Sequence, residues 1–277
     1  MNIKLLLALA AALLILATAC QKSDVEKQDN AVNELEMKQE VDAEVLFDEV
    51  FEISNEGFRL AQIGFKDGQN YRRRIGDCAT ITIDTTQMPH VMTIDFGEEN
   101  CLCPDGKYRR GVIIVTFNGR FYQPGTVITH TFDNFHVNDN HIQGIKVREN
   151  LGPNGEGFPQ FSAEVDGSIT LASDGTVISR QAQHLRTWIE GFGTPQWFDD
   201  VHLIDGSAIT TNSNGFGSTR TIINPLRREL SCHHFVSGTV EIERSNRPLA
   251  ILDYGDGICD NIATVTIGDD TFTIRLP

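Results

Sequence analysis

Residues 94–101 read IDFGEENC and residues 252–259 read LDYGDGIC. Each stretch ends an alternating apolar run with Asp, an aromatic residue and Gly, and each follows these with a Cys. The surroundings repeat as well. Cys78-x10-Pro89-x5-Asp95-Phe96-Gly97-x3-Cys101 is matched by Cys232-x15-Pro248-x4-Asp253-Tyr254-Gly255-x3-Cys259. In both copies a Cys begins a strand, a Pro-containing turn follows, and a second strand ends in the Asp-aromatic-Gly corner. The two Cys of a copy therefore fall near the open end of a hairpin, where disulfide distances are reachable. This favours Cys78–Cys101 and Cys232–Cys259 over pairing across the copies, such as Cys101 with Cys259. Each bridge closes a loop of about 25 residues, which stabilises by about 3 kcal/mol in the chain-entropy model. Cys103 is left over, and a choice of register between Cys101 and Cys103 stays open. In each corner, the Asp is expected to bond the turn backbone, the aromatic ring to cover the core edge and the Gly to permit the turn.

Outward from these corners the sequence keeps a period of two. Ala79-Ile81-Ile83, Met92-Ile94-Phe96, Ile113-Val115-Phe117, Val236-Val240-Ile242 and Phe272-Ile274-Leu276 alternate with polar residues, as half-buried antiparallel strands do. Asp166-Gly167 and Asp174-Gly175 are read as turns, and Arg148–Gln160 as the one long loop. Ahead of the strands, Ala43, Leu46, Val50 and Ile53 recur at helical spacing, widened by Phe47 and Phe51, with Gly57 as a left-handed C-cap. The expected fold is mainly β: an antiparallel meander, sandwich-like or an open barrel, preceded by one amphipathic helix. Residues 42–57 form that helix, and residues 58–277 a single β domain with two similar disulfide-closed hairpins.

The chain opens MNIKLLLALAAALLILATAC. One Lys, an apolar run and small residues ending at Cys20 make a signal peptide over residues 1–19. The run is shorter than the roughly 20 apolar residues of a membrane span. Leu16-Ala17-Thr18-Ala19-Cys20 resembles the lipobox of bacterial lipoproteins, in which cleavage precedes the Cys and the thiol carries lipid, palmitate included. The alternative is an ordinary signal peptide that leaves Cys20 as a plain thiol. Gln21-Lys22-Ser23-Asp24-Val25-Glu26 resembles the surface-export signal of Bacteroidetes-type lipoproteins. The expected address is the outer membrane, lipid-anchored, with the cell surface as its further option.

Residues 21–57 carry 12 acidic residues against three Lys, so residues 20–41 read as an acidic tether. The whole chain has a net charge of −15. Nucleic-acid binding needs a basic footprint and is excluded on this ground; Arg72-Arg73-Arg74 reads as a solvated face.

Chemistry-bearing patterns are few. There is no Gly-x-Ser-x-Gly elbow, no phosphate loop and no HExxH, and no catalytic residue is assigned. His130, His136 and His141 invite a metal, but strand spacing puts the first two on one face and the third on the other. Surface His is the preferred reading and no metal ligand is assigned. Asp253, Asp256 and Asp260, or Asn138-Asp139-Asn140, offer oxygen ligands for calcium without the EF-hand spacing; turn-forming Asp is preferred, and no cofactor is expected. Trp188 and Trp197 flank Glu190 in TWIEGFGTPQW and are the candidate ligand-binding pair, by stacking on a sugar.

The lipobox, the acidic helical tether, GDCATITID, TIDFG-x3-C, RRGVIIVTFNGRF, PGTVITHTFDNF, TWIEG and LDYGDGICDNIATVTI are together similar to a family of uncharacterised Bacteroidetes lipoproteins. Cys103 departs from that family's pattern. The resemblance implies an envelope β-protein and supplies no catalytic residues. The expected function is a non-catalytic structural or glycan-binding module, whose partners are the membrane, through the lipid, and a glycan or envelope component. The alternative is a hydrolase of envelope or extracellular polysaccharide.

Overall fold

The computed structural model describes residues 34–58, 60, 74–194, 196 and 198–276. Cys20 and Trp197 therefore fall outside the described residues. Among the described residues, 34–40 belong to one compact unit and those from Val41 onward to a second. A helix, α1, runs over 34–58 and is followed in the second unit by strands alone.

The strands are β1 (Thr80–Asp84), β2 (His90–Asp95), β3 (Cys101–Leu102), β4 (Tyr108–Phe117) and β5 (Val127–Val137). Next come β6 (Asn140–Pro153), β7 (Pro159–Thr170), β8 (Val177–Glu190), β9 (Val201–Asn212) and β10 (Gly217–Glu229). The series ends with β11 (Phe235–Arg244), β12 (Ala250–Asp256), β13 (Ile262–Ile267) and β14 (Asp270–Arg275). All belong to one antiparallel sheet in simple meander order, with β3 set aside as a short partner of β4. The sheet is open: β1 pairs only with β2, and β14 only with β13. The part of α1 from Val41 onward packs against this sheet, meeting strands from β2 to β10.

Period-two burial holds where it was expected. On β4, Arg109, Gly111, Ile113, Val115 and Phe117 are buried and the residues between them are not. Met92, Ile94 and Phe96 of the β2 corner join the same core as Ala43, Phe47, Val50, Phe51 and Ile53 of α1.

The two Asp-aromatic-Gly corners match in detail. Asp95 Oδ1 accepts the Gly97 N–H at 2.8 Å, and Asp253 Oδ1 accepts the Gly255 N–H at 2.8 Å. Phe96 and Tyr254 are buried. Gly97 and Gly255 take φ of 80° and 95°, a left-handed region that a side chain disfavours. Cys78 and Cys101 are bridged with Cα atoms 5.6 Å apart, Cys232 and Cys259 with Cα atoms 5.8 Å apart. The first bridge closes the β1–β2 hairpin and the second the β11–β12 hairpin. Cys103 stays a free, buried thiol. Burial, with Asp105 and Glu56 nearby, pushes its pKa up to about 12. We therefore expect native protein to resist alkylation at pH 8, and one thiol to become reactive in denaturant, since only the thiolate is a nucleophile. Non-reducing peptide mapping should return the two hairpin-internal links; a peptide joining the two hairpins would overturn this pairing.

Several local readings are corrected. Residues 34–41, within the stretch read as tether, are already helical; Glu34-Leu35-Glu36-Met37-Lys38 are good helix formers. Gly57 is no left-handed cap. It is helical, and a Cβ there would stand 3.0 Å from Ile94 Cδ1, so Gly lets α1 approach β2. Gly167 is not in a turn but inside β7, opposite Gly144, where a Cβ would lie 2.8 Å from the Phe47 ring. The supposed long loop shrinks to residues 154–158, because β6 continues to Pro153. The linking residues are bonded: Asn154 Oδ1 accepts the N–H groups of Glu156 and Phe158 at 3.0 and 2.9 Å.

Candidate functional site

The polar face of α1, in the part belonging to the second unit, is buried against cations of the sheet. The carboxylate of Glu44 accepts from Arg180, and from Arg220 Nη1 at 3.0 Å. Asp48 pairs with Arg186, and Lys146 Nζ stands 4.0 Å from it. Glu49 pairs with Arg109, and with Lys107 at 2.5 Å. Glu56 accepts the backbone N–H groups of Arg74 and Ile75 at 2.8 and 3.1 Å. His130 of β5 reaches Ser54 Oγ through Nε2 at 2.8 Å. Inward positions of β6 and β8 thus hold Lys146, Arg148, Arg180, His184 and Arg186. On β6 the apolar residues Ile145 and Leu151 face outward, 40 % and 49 % exposed. Burial alone would raise the Glu44 pKa, but Arg180 and Arg220 outweigh it and hold the group at about 2. Arg186, Lys146 and Arg228 likewise hold Asp48 well below the usual carboxylate range against its burial.

A cleft of about 290 Å³ opens beside this array. Asp48, Glu49 and Glu52 line it from α1, Asp105 and Lys107 from the approach to β4, and Arg228, His233 and His234 from the end of β10 and the turn after it. Arg74, which the sequence suggested was solvated, lies on its wall with a side chain 13 % exposed, 4.0 Å from Asp105. Arg109 donates to both Asp105 oxygens, at 2.8 and 2.6 Å. Burial nonetheless pushes the Asp105 pKa up, against Arg74 and Lys107. Glu52 is buried, and its Oε1 has no hydrogen-bond partner. The cleft can hold a polar, charged molecule through side chains of both signs.

The Trp candidates lie elsewhere. Trp188 is 3 % exposed, and its ring is covered by Tyr122, stacked at 5.9 Å, and by His202 at 5.3 Å. It therefore has no open face for a sugar, which corrects its reading as a direct stacking residue. Phe192 meets the Trp188 edge at 6.3 Å. Tyr122 is 40 % and Phe192 49 % exposed, so Trp188 positions two accessible aromatic residues at one end of β8. Glu190 lies at the same end, accepting from Arg227 Nη2 at 2.9 Å. Tyr122 comes from the β4–β5 connection, which nothing in TWIEG could announce.

The three His are separated differently from the spacing rule. His136 of β5 pairs with His141 of β6, and their rings stack at 4.5 Å on one face. His130 is buried on the other. The cause is an irregularity between Thr131 and His136, where Asn134 has φ of 49°; a bulge shifts the facing by one residue. The calcium candidates serve turns. Asp253 and Asp260 accept the N–H of Gly255 and Ile262, and Asn138 Oδ1 accepts that of Tyr108. Asp139 is engaged by Asn100 and Arg110. Among the described residues, no group of three His, Cys, Asp or Glu is placed to hold a metal, and no helix is long and apolar enough to cross a membrane. Comparison with protein-family models, with curated proteins and with solved structures finds no match for this chain.

Proposed function

We propose that the protein is a lipid-anchored module of the outer membrane, attached through Cys20, that binds a glycan without transforming it. The observation that carries the ligand class is the pair of exposed rings, Tyr122 and Phe192, held against buried Trp188 beside the Glu190–Arg227 ion pair. Exposed aromatic faces stack on the apolar faces of sugar rings, and a neighbouring carboxylate and guanidinium take hydroxyl groups. The anchor and envelope address rest on the resemblance of residues 16–26 to lipoprotein signals.

Two measurements on the full chain test this. Fatty-acid labelling in cells is expected for the native protein and lost in Cys20→Ala; equal labelling of the two removes the anchor. On a glycan array, Tyr122→Ala combined with Phe192→Ala is expected to weaken binding roughly tenfold or more, from the about 0.5–1.5 kcal/mol that each aromatic contact contributes beyond its buried area. Binding of no glycan by the native protein, or binding unchanged in the variant, overturns the glycan reading.

A hydrolase acting in the cleft is the second reading, favoured by the unpartnered Glu52 oxygen and the raised Asp105. It requires turnover of a polysaccharide by the native protein that Glu52→Gln abolishes.

A further inference from the structure

A small cavity of about 20 Å³ lies between α1 and strands β6 to β8, sharing Asp48 with the cleft and separate from the aromatic end. Its charged walls are Lys146, Arg148, Arg180 and Arg186, with Glu44 and Asp48 opposite, and His184 completes the polar lining. His184 is neutral near pH 7, since burial outweighs Glu44 and pulls its pKa to about 4. Four cations face two carboxylates in the lining, and buried Glu52, outside it, also acts on Arg148.

The hydrogen bonding is incomplete on the cationic side alone. Lys146 Nζ donates to the Phe47 carbonyl at 2.6 Å, Arg180 Nη1 to Thr210 Oγ1 at 2.9 Å, and Arg186 Nη2 to Asp48. Arg148 Nε and Nη2 and Arg186 Nη1 have no partner. Both residues are more than nine-tenths buried, Arg148 at 2 % and Arg186 at 6 % exposure. The Arg148 guanidinium sits 3.7 Å from the Phe51 ring centroid and 4.3 Å from that of Phe161. That stacking fixes its plane without using its N–H groups. Buried N–H donors of charged groups are costly to leave unbonded, and so is an uncompensated buried charge.

We propose that this cavity is a binding site for a monatomic anion, chloride or another halide, ligated by Arg148 and Arg186. The volume admits about one particle of water size. A phosphate or a carboxylate ligand is too large for it. The apolar walls, Phe47, Phe51, Ala163, Val165 and Ala182, suit a weakly hydrated ion. A water oxygen accepts two hydrogen bonds, fewer than the unpartnered N–H groups of Arg148 and Arg186 offer.

The test uses the full-length protein in chloride, bromide and gluconate at matched ionic strength. Saturable stabilisation by chloride and bromide, absent in gluconate, is expected. A site that binds the folded state alone should raise Tm by about 5–10 °C at a hundredfold excess over the dissociation constant. Crystals grown in bromide should show an anomalous peak within hydrogen-bonding distance of Arg148 and Arg186, and Arg148→Met should remove both the peak and the halide dependence. Equal Tm in the three salts, or crystals of the native protein with no anomalous peak in this cavity, overturns the proposal whether or not the variant folds.

Discussion

Glu44→Gln is expected to lower the free energy of unfolding by about 3–5 kcal/mol, the usual loss when one member of a buried ion pair is removed. The Glu44 carboxylate is shared by Arg180 and Arg220, whose guanidinium groups are each 1 % exposed. Gln keeps the size and one acceptor but takes away the charge that the two buried guanidinium groups share. For a domain of this size the loss corresponds to a fall in Tm of about 6–20 °C. A triple variant, Glu44→Leu with Arg180→Met and Arg220→Met, separates a charge effect from general damage. Apolar replacement of a whole buried ionic group is often neutral or stabilising, so the triple variant should recover most of what Glu44→Gln loses. Chemical unfolding of the three proteins decides the point. A loss below about 1 kcal/mol in Glu44→Gln would show that the pair is screened by water.

The parts of this fold that were legible in the sequence are those in which local chemistry and burial agree. The doubled corner could be read because Asp95 and Asp253 bond their own turns, Gly97 and Gly255 supply a backbone that other residues resist, and each Cys closes its own hairpin. Period two placed Ile113, Val115 and Phe117 inward for the same reason. The interior facing α1 was hidden because its burial runs against hydrophobicity. On β6 Lys146 and Arg148 point inward while Ile145 and Leu151 point out. On α1, Glu44, Glu49, Glu52 and Glu56 are buried where an amphipathic helix would keep them wet. Neither inversion shows in one segment alone, since Glu49 and Glu44 meet their cations 58 to 176 positions away in the chain. The helix and the strands do carry one joint clue: acids concentrated in residues 21–57 and Arg recurring at even spacing, 180 and 186, 220 and 228. Trp188 could be picked out by residue type, but its burial under Tyr122 and His202 depends on distant segments.

The same buried polarity predicts how the protein fails in acid. His130 is fully buried, and burial, aided by the positive charges of Lys146 and Arg148, pulls its pKa to about 3. His184 is pulled to about 4, again chiefly by burial. In the unfolded chain both return to the ordinary value of about 6.5. As the pH falls below 6.5 the unfolded chain takes up protons that the folded chain refuses, so stability declines with acidification. The decline continues until the folded-state values of about 4 and 3 are reached. At about 1.36 kcal/mol per unit, the two shifts amount to about 3–5 kcal/mol each, a large share of a typical stability of about 5–15 kcal/mol. The carboxylates act later. Glu44, held at about 2, contributes stability above its ordinary pKa near 4.5 and loses it only as the pH falls from there through 2. Cooperative unfolding is therefore expected between about pH 6 and 4, ahead of protonation of the α1 carboxylates. Urea midpoints measured from pH 7.5 down to 4.5 should fall steadily. In His130→Gln, whose amide can still meet Ser54 Oγ, the slope over that interval should drop by about one proton. An unchanged slope in His130→Gln would mean that His130 is protonated in the folded state, and with it that water reaches the seam between α1 and β5.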